Sequence, residues 1–420
     1  MSPFDTRVPA VLLRIDRNPF HHGTLGAVRS LGRAGVEAHV VAADGPGSPV
    51  AASRFTTAVH QPPAPGASDA DIARVLAQVA ARVARPAVLV PLDDASALAT
   101  ARLRESLAPA FRLPALPGPL AERVADKAEL AALCAALGIP HPVTLIPGSG
   151  ADAGRAAWRL GLPVIAKWSR PWLLPTGSGL RSTTVVRSAQ QARELYGRRT
   201  EAGSALLLQE FLPPGPGLDW FCHAHTDRTG TRHGGGTGRK LLSWPRGAGL
   251  TAVGEWTPNP ELDELTGRLV TALGYRGVLD LDFRRHDRTG AYHLLDFNPR
   301  PGAQFRLFAD TGGLDVVRAL HLDLTGRPLP VPRPRPGRRF LVENYAPLTA
   351  LRRPSRAGRE LAWYAADDRA PARALWRRWP RHLTRRLRPV PPGPQDPAPA
   401  RPRIIRQPSP PAHDHHADTH

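Results

Sequence analysis

Residues 8–108 alternate short apolar runs with helical patterns, and this alternation limits the fold more than any other feature of the chain. Three runs are typical of buried strands: "VPAVLLRID" (8–16), "VEAHVVAAD" (36–44) and "PAVLVPLDD" (86–94). Helical patterns occupy 21–35, 69–84 and 95–108. Strands joined through helices pair in parallel, so residues 1–115 are predicted to form an α/β domain with a parallel sheet.

The turn after the first strand, "HHGTLG", carries Gly23 and Gly26. A dinucleotide fingerprint requires three spaced glycines and a later acid that binds the ribose. The turn lacks that pattern, so the sequence does not predict an NAD site.

A second α/β unit is predicted over 116–328, after the proline-rich link "RLPALPGPL". Its expected strands are "GLPVIAKW" (161–168), "TTVVRS" (183–188), "SALLLQEFL" (204–212), "VLDLDFRRH" and "AYHLLDFNPR". The last two strands are joined by the turn sequence "DRTG" (287–290) and therefore form a hairpin. Residues 329–388 are predicted to be a Pro/Arg-rich extension with a helical stretch around 357–378, and residues 389–420 to be disordered.

The formal net charge of +20 is concentrated near the C-terminus. Residues 331–420 hold 19 Arg and 7 acidic residues, a net +12. Blocks of Arg between prolines are more typical of a solvated tail than of a specific nucleic-acid site. The sequence therefore disfavours nucleic-acid binding, which stays a minor hypothesis.

The class of protein is further limited by cysteine usage and by hydropathy. Cys134 and Cys222 have no paired spacing, so neither a disulfide framework nor a zinc site is predicted. The N-terminus lacks the pattern of a signal peptide, and no apolar run approaches the length of a membrane span. A soluble cytoplasmic protein without membrane partners is expected.

Lysine is rare: among 56 basic residues only Lys127, Lys167 and Lys240 are lysines. Where arginine is the default cation, a lysine suggests a site that needs a compact ammonium group, as tight phosphate sites do. The alternative is chance survival on the surface.

The hairpin strands place acids on one face. Asp296 and Asn298 alternate with apolar residues, and Asp282 is expected opposite Asp296 across the turn. Two carboxylates and an amide oxygen so placed suit Mg²⁺, because like charges repel unless a cation lies between them. The alternative is the polar outer face of an edge hairpin.

Phosphate-binding features occur further upstream. Lys167 ends the apolar strand "PVIAK", Lys127 begins a helix, and "TGSG" offers backbone amides that suit an anion. "LLLQEFLPP" ends an apolar strand in a stiff, proline-containing segment, and the backbone of such a hinge could pair with the edge of a nucleotide base. Asp219 follows a few residues later, within reach of a ribose.

The order of these motifs resembles the ATP-grasp superfamily. The lysines in "ADKAEL" and "PVIAKW", the glycine loop, "LQEFL" and the acids before "NPR" follow one another across about 120–325. "TGRKLLSWP" and "LGYRGVLDLDF" are similar to phrases of the carboxylate-amine ligase branch, which includes D-aspartate ligase-like proteins. The resemblance implies an α/β (α+β grasp) fold: a Rossmann-like pre-ATP-grasp domain, a two-lobed ATP-grasp domain and the basic extension.

The resemblance also implies roles for individual residues. Phosphate binding is implied for Lys127, Lys167, Gly177, Ser178 and Gly179. Contact with adenine is implied for Gln209, Glu210, Phe211 and Leu212, and contact with the ribose for Asp219. Binding of Mg²⁺ or Mn²⁺ is implied for Asp282, Asp296 and Asn298. Arg300 would stabilise an acyl phosphate, and Lys240 would contact the γ-phosphate or the substrate. Relatives usually carry Glu where this chain has Asp296.

The implied activity is that of an ATP-dependent ligase which activates a carboxylate as an acyl phosphate and transfers it to an amine. Its substrates would be small molecules. The sequence leaves two alternatives: a carboxylase or phosphotransferase on the same fold, and a non-catalytic protein that binds nucleotide or nucleic acid. Glu255 is a candidate base, and "HHGTLG" with Arg300 and Arg306 is a candidate site for a substrate carboxylate.

Overall fold

A computed structural model describes residues 3–175, 177–244, 249–346, 357–386 and 403–405. The chain divides into two compact units. The first, unit 1, contains Met1–Asp126 and Leu212–Gly393. The second, unit 2, contains Lys127–Phe211 and Pro394–His420. The segment 389–420, predicted to be disordered, lies outside the described residues except for 403–405.

The N-terminal part of unit 1 is a five-stranded sheet in the order β3-β2-β1-β4-β5, in which every neighbouring pair is parallel. Its strands are β1 (Ala10–Leu13), β2 (Ala38–Val41), β3 (Thr56–His60), β4 (Ala87–Pro91) and β5 (Phe111–Arg112). Its helices are α1 (His22–Arg33), α2 (Asp69–Val83), α3 (Asp94–Arg102), α4 (Arg104–Leu107) and α5 (Gly118–Ala125). The predicted parallel α/β sheet is confirmed.

The beginning of α3 is held to the end of β1 by Asp93, the N-cap residue of α3. The Asp93 carboxylate accepts hydrogen bonds from Ser96 N (2.7 Å), Ile15 N (2.6 Å) and Asp16 N (3.1 Å). A capping carboxylate satisfies free amides at a helix start, and here it also joins two strand ends. The next residue, Asp94, is therefore presented at a defined position at the carboxyl end of the sheet.

The remainder of unit 1 is built on a seven-stranded sheet in the order β14-β13-β10-β11-β12-β15-β16. The strands are β10 (Asp219–Thr226), β11 (Arg232–Trp244), β12 (Leu250–Trp256), β13 (Gly277–Arg285), β14 (Tyr292–Asn298), β15 (Arg339–Leu341) and β16 (Arg359–Leu361). Its helices are α10 (Pro260–Leu273), α11 (Val316–Leu324) and α12 (Ala370–Arg386), with a 3-10 turn at Phe305–Phe308. One apolar core joins both parts of unit 1, as Leu12, Val28, Phe305 and Trp379 belong to the same buried cluster.

The helical stretch predicted around 357–378 is wrong in its first half. Arg359–Leu361 is a strand that pairs with β15, and the helix begins at Ala370. The strand is favoured because Glu360 pairs with Arg306 (2.8 Å) and Arg338 (2.5 Å), partners far away in sequence. Part of the C-terminal basic charge is thus neutralised within the fold.

Unit 2 contains a five-stranded sheet in the order β17-β6-β9-β7-β8, with antiparallel neighbours. The strands are β6 (Thr144–Ile146), β7 (Val164–Trp168), β8 (Thr183–Val186), β9 (Leu206–Glu210) and β17 (Arg403–Ile405). The helices are α6 (Lys127–Leu137), α7 (Gly150–Leu160), α8 (Ala189–Gly197) and α9 (Arg199–Ala202), with a 3-10 turn at Pro171–Leu173. None of the helices in the described ranges is long and apolar enough to cross a membrane.

The first helical residue, His22, makes the stability of the fold dependent on pH. Its side chain is buried beside Phe340 and Trp363, its Nε2 has no hydrogen-bond partner among the described residues, and burial lowers its pKa from 6.5 to about 4. Between these two values, the unfolded chain binds a proton that the folded chain does not.

We therefore expect the free energy of unfolding to fall as the pH decreases from about 6.5 to about 4, with about 3 kcal/mol of the loss due to His22. Replacing His22 by Phe removes the titrating group and should flatten the profile by about that amount. Urea unfolding at several pH values measures both slopes. Equal slopes in wild type and variant would contradict this account.

Candidate active site

The β13–β14 hairpin gathers the predicted cation ligands on one face of the sheet. Asp282 lies directly opposite Asp296, and Asp280 directly opposite Asn298. The neighbouring pair, Leu281 and Phe297, points to the other face and is fully buried. The alternation along each strand therefore separates a polar face from an apolar one, as predicted from the sequence.

The electrostatics of this face fit a bound cation. Partial burial raises the pKa of Asp282, and the like charges of Asp280 and Asp296 act in the same direction. Lys240 opposes the shift, because its Nζ lies 3.5 Å from Asp282 Oδ1. The structure therefore brings Lys240 to the predicted cation ligands.

An amide oxygen completes this donor set. The Nδ2 of Asn298 donates to the Asp280 backbone oxygen (3.2 Å) and to Asp280 Oδ2 (3.3 Å), which leaves the amide oxygen as an acceptor for a cation. The described residues contain no group of three or more His, Cys, Asp or Glu side chains that could hold a metal ion. Two carboxylates and one amide oxygen suit Mg²⁺, which typically takes further oxygens from water and substrate phosphates.

Arg300, which follows β14, lies between two carboxylates. Its Nε donates to Asp94 Oδ1 (3.0 Å), and its Nη1 donates to Asp280 Oδ2 (2.8 Å) and to the oxygen of Pro301 (3.3 Å). Burial alone would lower the pKa of Arg300, but Asp94 and Asp280 outweigh it and raise the pKa. Its Nη2 makes no hydrogen bond to any described residue, and the side chain is 19 % exposed. Arg300 therefore has a free pair of N–H donors for an anion.

Three residues of this site were missed by the sequence analysis: Asp94, Asp280 and His223. Asp280 joins Arg300 and Asn298, and His223 on β10 lies opposite it with Nε2 2.9 Å from Asp280 Oδ1. His223 and Arg300 outweigh the effect of burial and lower the pKa of Asp280 to about 2. Strand alternation places Asp280 on the same face as Asp282, so the sequence pattern could have indicated that Asp280 belongs to this site. The pairing of His223 with it depends on strand order, which the sequence pattern does not contain.

In unit 2, the start of α6 lies beside the end of β7, and this contact brings two of the predicted phosphate residues together. The backbone N of Lys127 donates to Ser169 O (2.8 Å), two residues beyond Lys167. Both lysine side chains are buried. Lys167 lies opposite Leu207, and Gln209 lies opposite Ile165 on the same face of the sheet. The buried Val164, Ala166, Leu206 and Leu208 point to the other face, where they form a core with α7 and α8.

The predicted glycine loop connects β7 to β8. Gly177 and Gly179 have φ values of +88° and +75°, which residues other than glycine rarely adopt. Ser178 Oγ accepts from Leu180 N (3.2 Å), and the Ser178 backbone oxygen accepts from Arg198 Nη2 (3.1 Å). The loop therefore has a defined conformation on the part of the chain that the structure describes.

Gln209 and Glu210, which are predicted to contact adenine, are held by hydrogen bonds within unit 2. Gln209 Nε2 donates to Thr144 Oγ1 (2.9 Å), and Glu210 N donates to Val143 O (2.9 Å). Phe211 is the last residue of the first segment of unit 2, and Leu212 begins the second segment of unit 1. In unit 1, Arg284 donates to Leu212 O (2.8 Å) and to Asp219 Oδ1 (2.6 Å). The carboxylate of Asp219 is therefore already paired through one oxygen.

Other candidates from the sequence have structural partners. Glu255 accepts from Arg239 through Oε1 (3.3 Å) and from Arg339 through Oε2 (2.8 Å), so both of its carboxylate oxygens are paired with arginines. Arg306 is buried between Asp315 (3.3 Å) and Glu360 (2.8 Å). His21 is the N-cap of α1 and accepts from Thr24 N (3.1 Å). These residues stabilise the fold, and the contacts of Arg306 leave Arg300 as the more available guanidinium.

The cysteines offer no nucleophile, because burial raises the pKa of Cys134 and of Cys222 to about 12. Chemistry at this site therefore does not start from a thiolate.

The fold is the ATP-grasp fold, as comparison with solved structures shows. The biotin carboxylase domain of 2-oxoglutarate carboxylase from Hydrogenobacter thermophilus, a complex with MgADP, ADP and bicarbonate, superposes with a TM-score of 0.58 at 18% identity, over 77% of this chain and 71% of that one. The L-amino acid ligase of Bacillus licheniformis gives 0.57 at 16% identity, over 76% and 74%.

A third similar structure is the N5-carboxyaminoimidazole ribonucleotide synthetase of Thermus thermophilus, with a TM-score of 0.55 at 16% identity over 78% of this chain and 81% of that one. No protein-family model matches the sequence, and no curated protein is significantly similar to it. At these identities the similarity defines the fold and not the reaction.

Proposed function

We propose that the protein is an ATP- and Mg²⁺-dependent ligase that joins a carboxylate to an amine. The observation that carries this proposal is the polar face of the β13–β14 hairpin, where Asp282 faces Asp296 and Arg300 keeps Nη2 free. A pair of like charges suits a cation, and a free pair of N–H donors suits a phosphate or carboxylate. The L-amino acid ligase with the same fold supports this reaction class.

The reaction would proceed in two steps. A carboxylate oxygen attacks the γ-phosphorus of ATP, a new O–P bond forms, and the bond to the departing ADP breaks. The amine nitrogen then attacks the carbonyl carbon, the C–O bond to phosphate breaks, and the amine loses one proton. The protein contributes position and charge rather than a nucleophile.

Each residue has a proposed part in this reaction. Arg300 Nη2 would bind the acyl phosphate, and Lys240 would bind the γ-phosphate once it leaves Asp282. Cation binding is assigned to Asp282, Asp296 and Asn298, and bound Mg²⁺ would offset the charge that gathers as two anions approach. ATP phosphates are assigned to Lys127, Lys167, Gly177, Ser178 and Gly179. Adenine is assigned to Gln209, Glu210, Phe211 and Leu212, and the ribose to Asp219 through Oδ2.

The proposal is tested by a screen for Mg²⁺-dependent ADP release over pairs of carboxylic acids and amino acids, with bicarbonate included as one acid. We expect release only with particular pairs, and loss of release in Lys167→Ala and Asp296→Ala. Asp287→Ala is the matched control, because Asp287 is an exposed acid in the turn of the same hairpin.

Three outcomes would contradict the ligase proposal. Release that is independent of the pair, or unchanged in both variants, would exclude it. Release driven by bicarbonate with a single amine would indicate a carboxylase instead.

A further inference from the structure

The Asp280 side chain contacts both an assigned cation ligand, Asn298, and the assigned anion-binding residue, Arg300. Its Oδ2 accepts from Arg300 Nη1 (2.8 Å) and from Asn298 Nδ2 (3.3 Å). The first contact leaves Nη2 of Arg300 for a substrate anion. The second orients the Asn298 amide so that its oxygen, rather than its nitrogen, is available to a cation.

Asp280 is itself held by a buried imidazole. His223 is fully buried, and its Nε2 lies 2.9 Å from Asp280 Oδ1, although the angle of this contact is poor for a hydrogen bond. The rings of Phe221 and Phe308 lie 5.5 Å and 5.2 Å from the imidazole and limit its movement.

Gly302 packs closely against both His223 and Asp280. A Cβ added there would lie 2.5 Å from His223 Cε1 and 2.7 Å from Asp280 Cγ, so only glycine fits without displacing the pair. The neighbours of Asp280 therefore hold its carboxylate in one position. A group that orients other side chains must itself be held in this way.

We propose that Asp280, held by His223 and Gly302, is a positioning residue that sets Asn298 for the cation and Arg300 for the acyl phosphate. This inference rests on the proposed function. Asp280 does not need to touch the substrate, because it acts through the two side chains that do.

The chain offers a matched control in a second buried His–Asp contact. His225 lies two residues further along β10, is also fully buried, and has Nε2 2.9 Å from Asp323 Oδ2 on α11. Unlike the His223–Asp280 contact, this one is a hydrogen bond, and Asp323→Asn alters it without touching Arg300 or Asn298.

The test compares Asp280→Asn with Asp323→Asn in the full chain. We expect similar decreases in melting temperature, but only Asp280→Asn should lower kcat, by about 10- to 100-fold, with little change in the KM of the amine. Binding of Mn²⁺ with ADP, followed by electron paramagnetic resonance, should weaken severalfold in Asp280→Asn alone. Asp280→Glu, which keeps the charge but moves the carboxylate, should recover only part of kcat.

Gly302→Ala provides a second route that leaves Asp280 unchanged, and it should lower kcat in the same way. Its control is Gly45→Ala, because an added Cβ at Gly45 meets nothing within 4 Å. Equal kcat and equal Mn²⁺·ADP binding in wild type and Asp280→Asn would overturn the positioning role and leave the proposed function intact. A wild-type protein that does not bind Mn²⁺·ADP would overturn the proposed function and this inference with it.

Discussion

Replacing Arg300 by Gln is expected to lower kcat of the ligase reaction by about 10²- to 10³-fold, while the KM of ATP changes little. The guanidinium bridges Asp94 and Asp280 and still presents Nη2. Glutamine cannot pair with both acids and also donate two N–H groups to an acyl phosphate. A lysine replacement should fail almost as severely, because an ammonium lacks the planar fork that reaches all three partners.

Steady-state rates of ADP release with the productive pair measure this effect. Arg285→Gln is the control, since Arg285 is exposed at the end of β13 and its side chain donates only to Gly290 O (3.2 Å) within the described structure. If Arg300→Gln retained kcat within about twofold, the assignment of the acyl phosphate to this residue would be wrong.

The second large effect is expected at Asp296. Asp296→Asn removes one of the two opposed carboxylates, so the cation is bound more weakly and less charge is offset in the transition state. A loss of several kcal/mol of such stabilisation corresponds to a decrease of about 10²- to 10³-fold in kcat. The Mg²⁺ concentration required for half-maximal ADP release should also rise.

Asp296→Glu should keep much of the activity, because it restores the residue that the resemblance leads one to expect and preserves the charge. A Mg²⁺ titration of ADP release and Mn²⁺ binding by electron paramagnetic resonance distinguish the two variants. Asp287→Asn, in the exposed turn, should behave as wild type. Equal losses in Asp296→Glu and Asp296→Asn would show that shape, rather than charge, dominates at this position.

Local patterns predicted the elements of the fold well. The parallel α/β sheet and the hairpin register of Asp282 with Asp296 follow from strand alternation and from turn residues, which act within a few positions of the chain. The strand at Arg359–Leu361 was predicted as helix, because its pairing with β15 depends on a partner sheet assembled from distant segments.

The sequence determined which face of the hairpin is polar, which acids lie on that face and which arginine follows it. The reason is that side chains alternate along a strand whatever surrounds it. Only the tertiary structure decided which partners those groups contact. Asp94 reaches Arg300 across 206 residues of sequence, and His223 meets Asp280 because β10 lies next to β13. Such contacts depend on strand order and on the docking of two sheets within unit 1. The residues that orient the site therefore emerge only when distant parts of the chain are brought together.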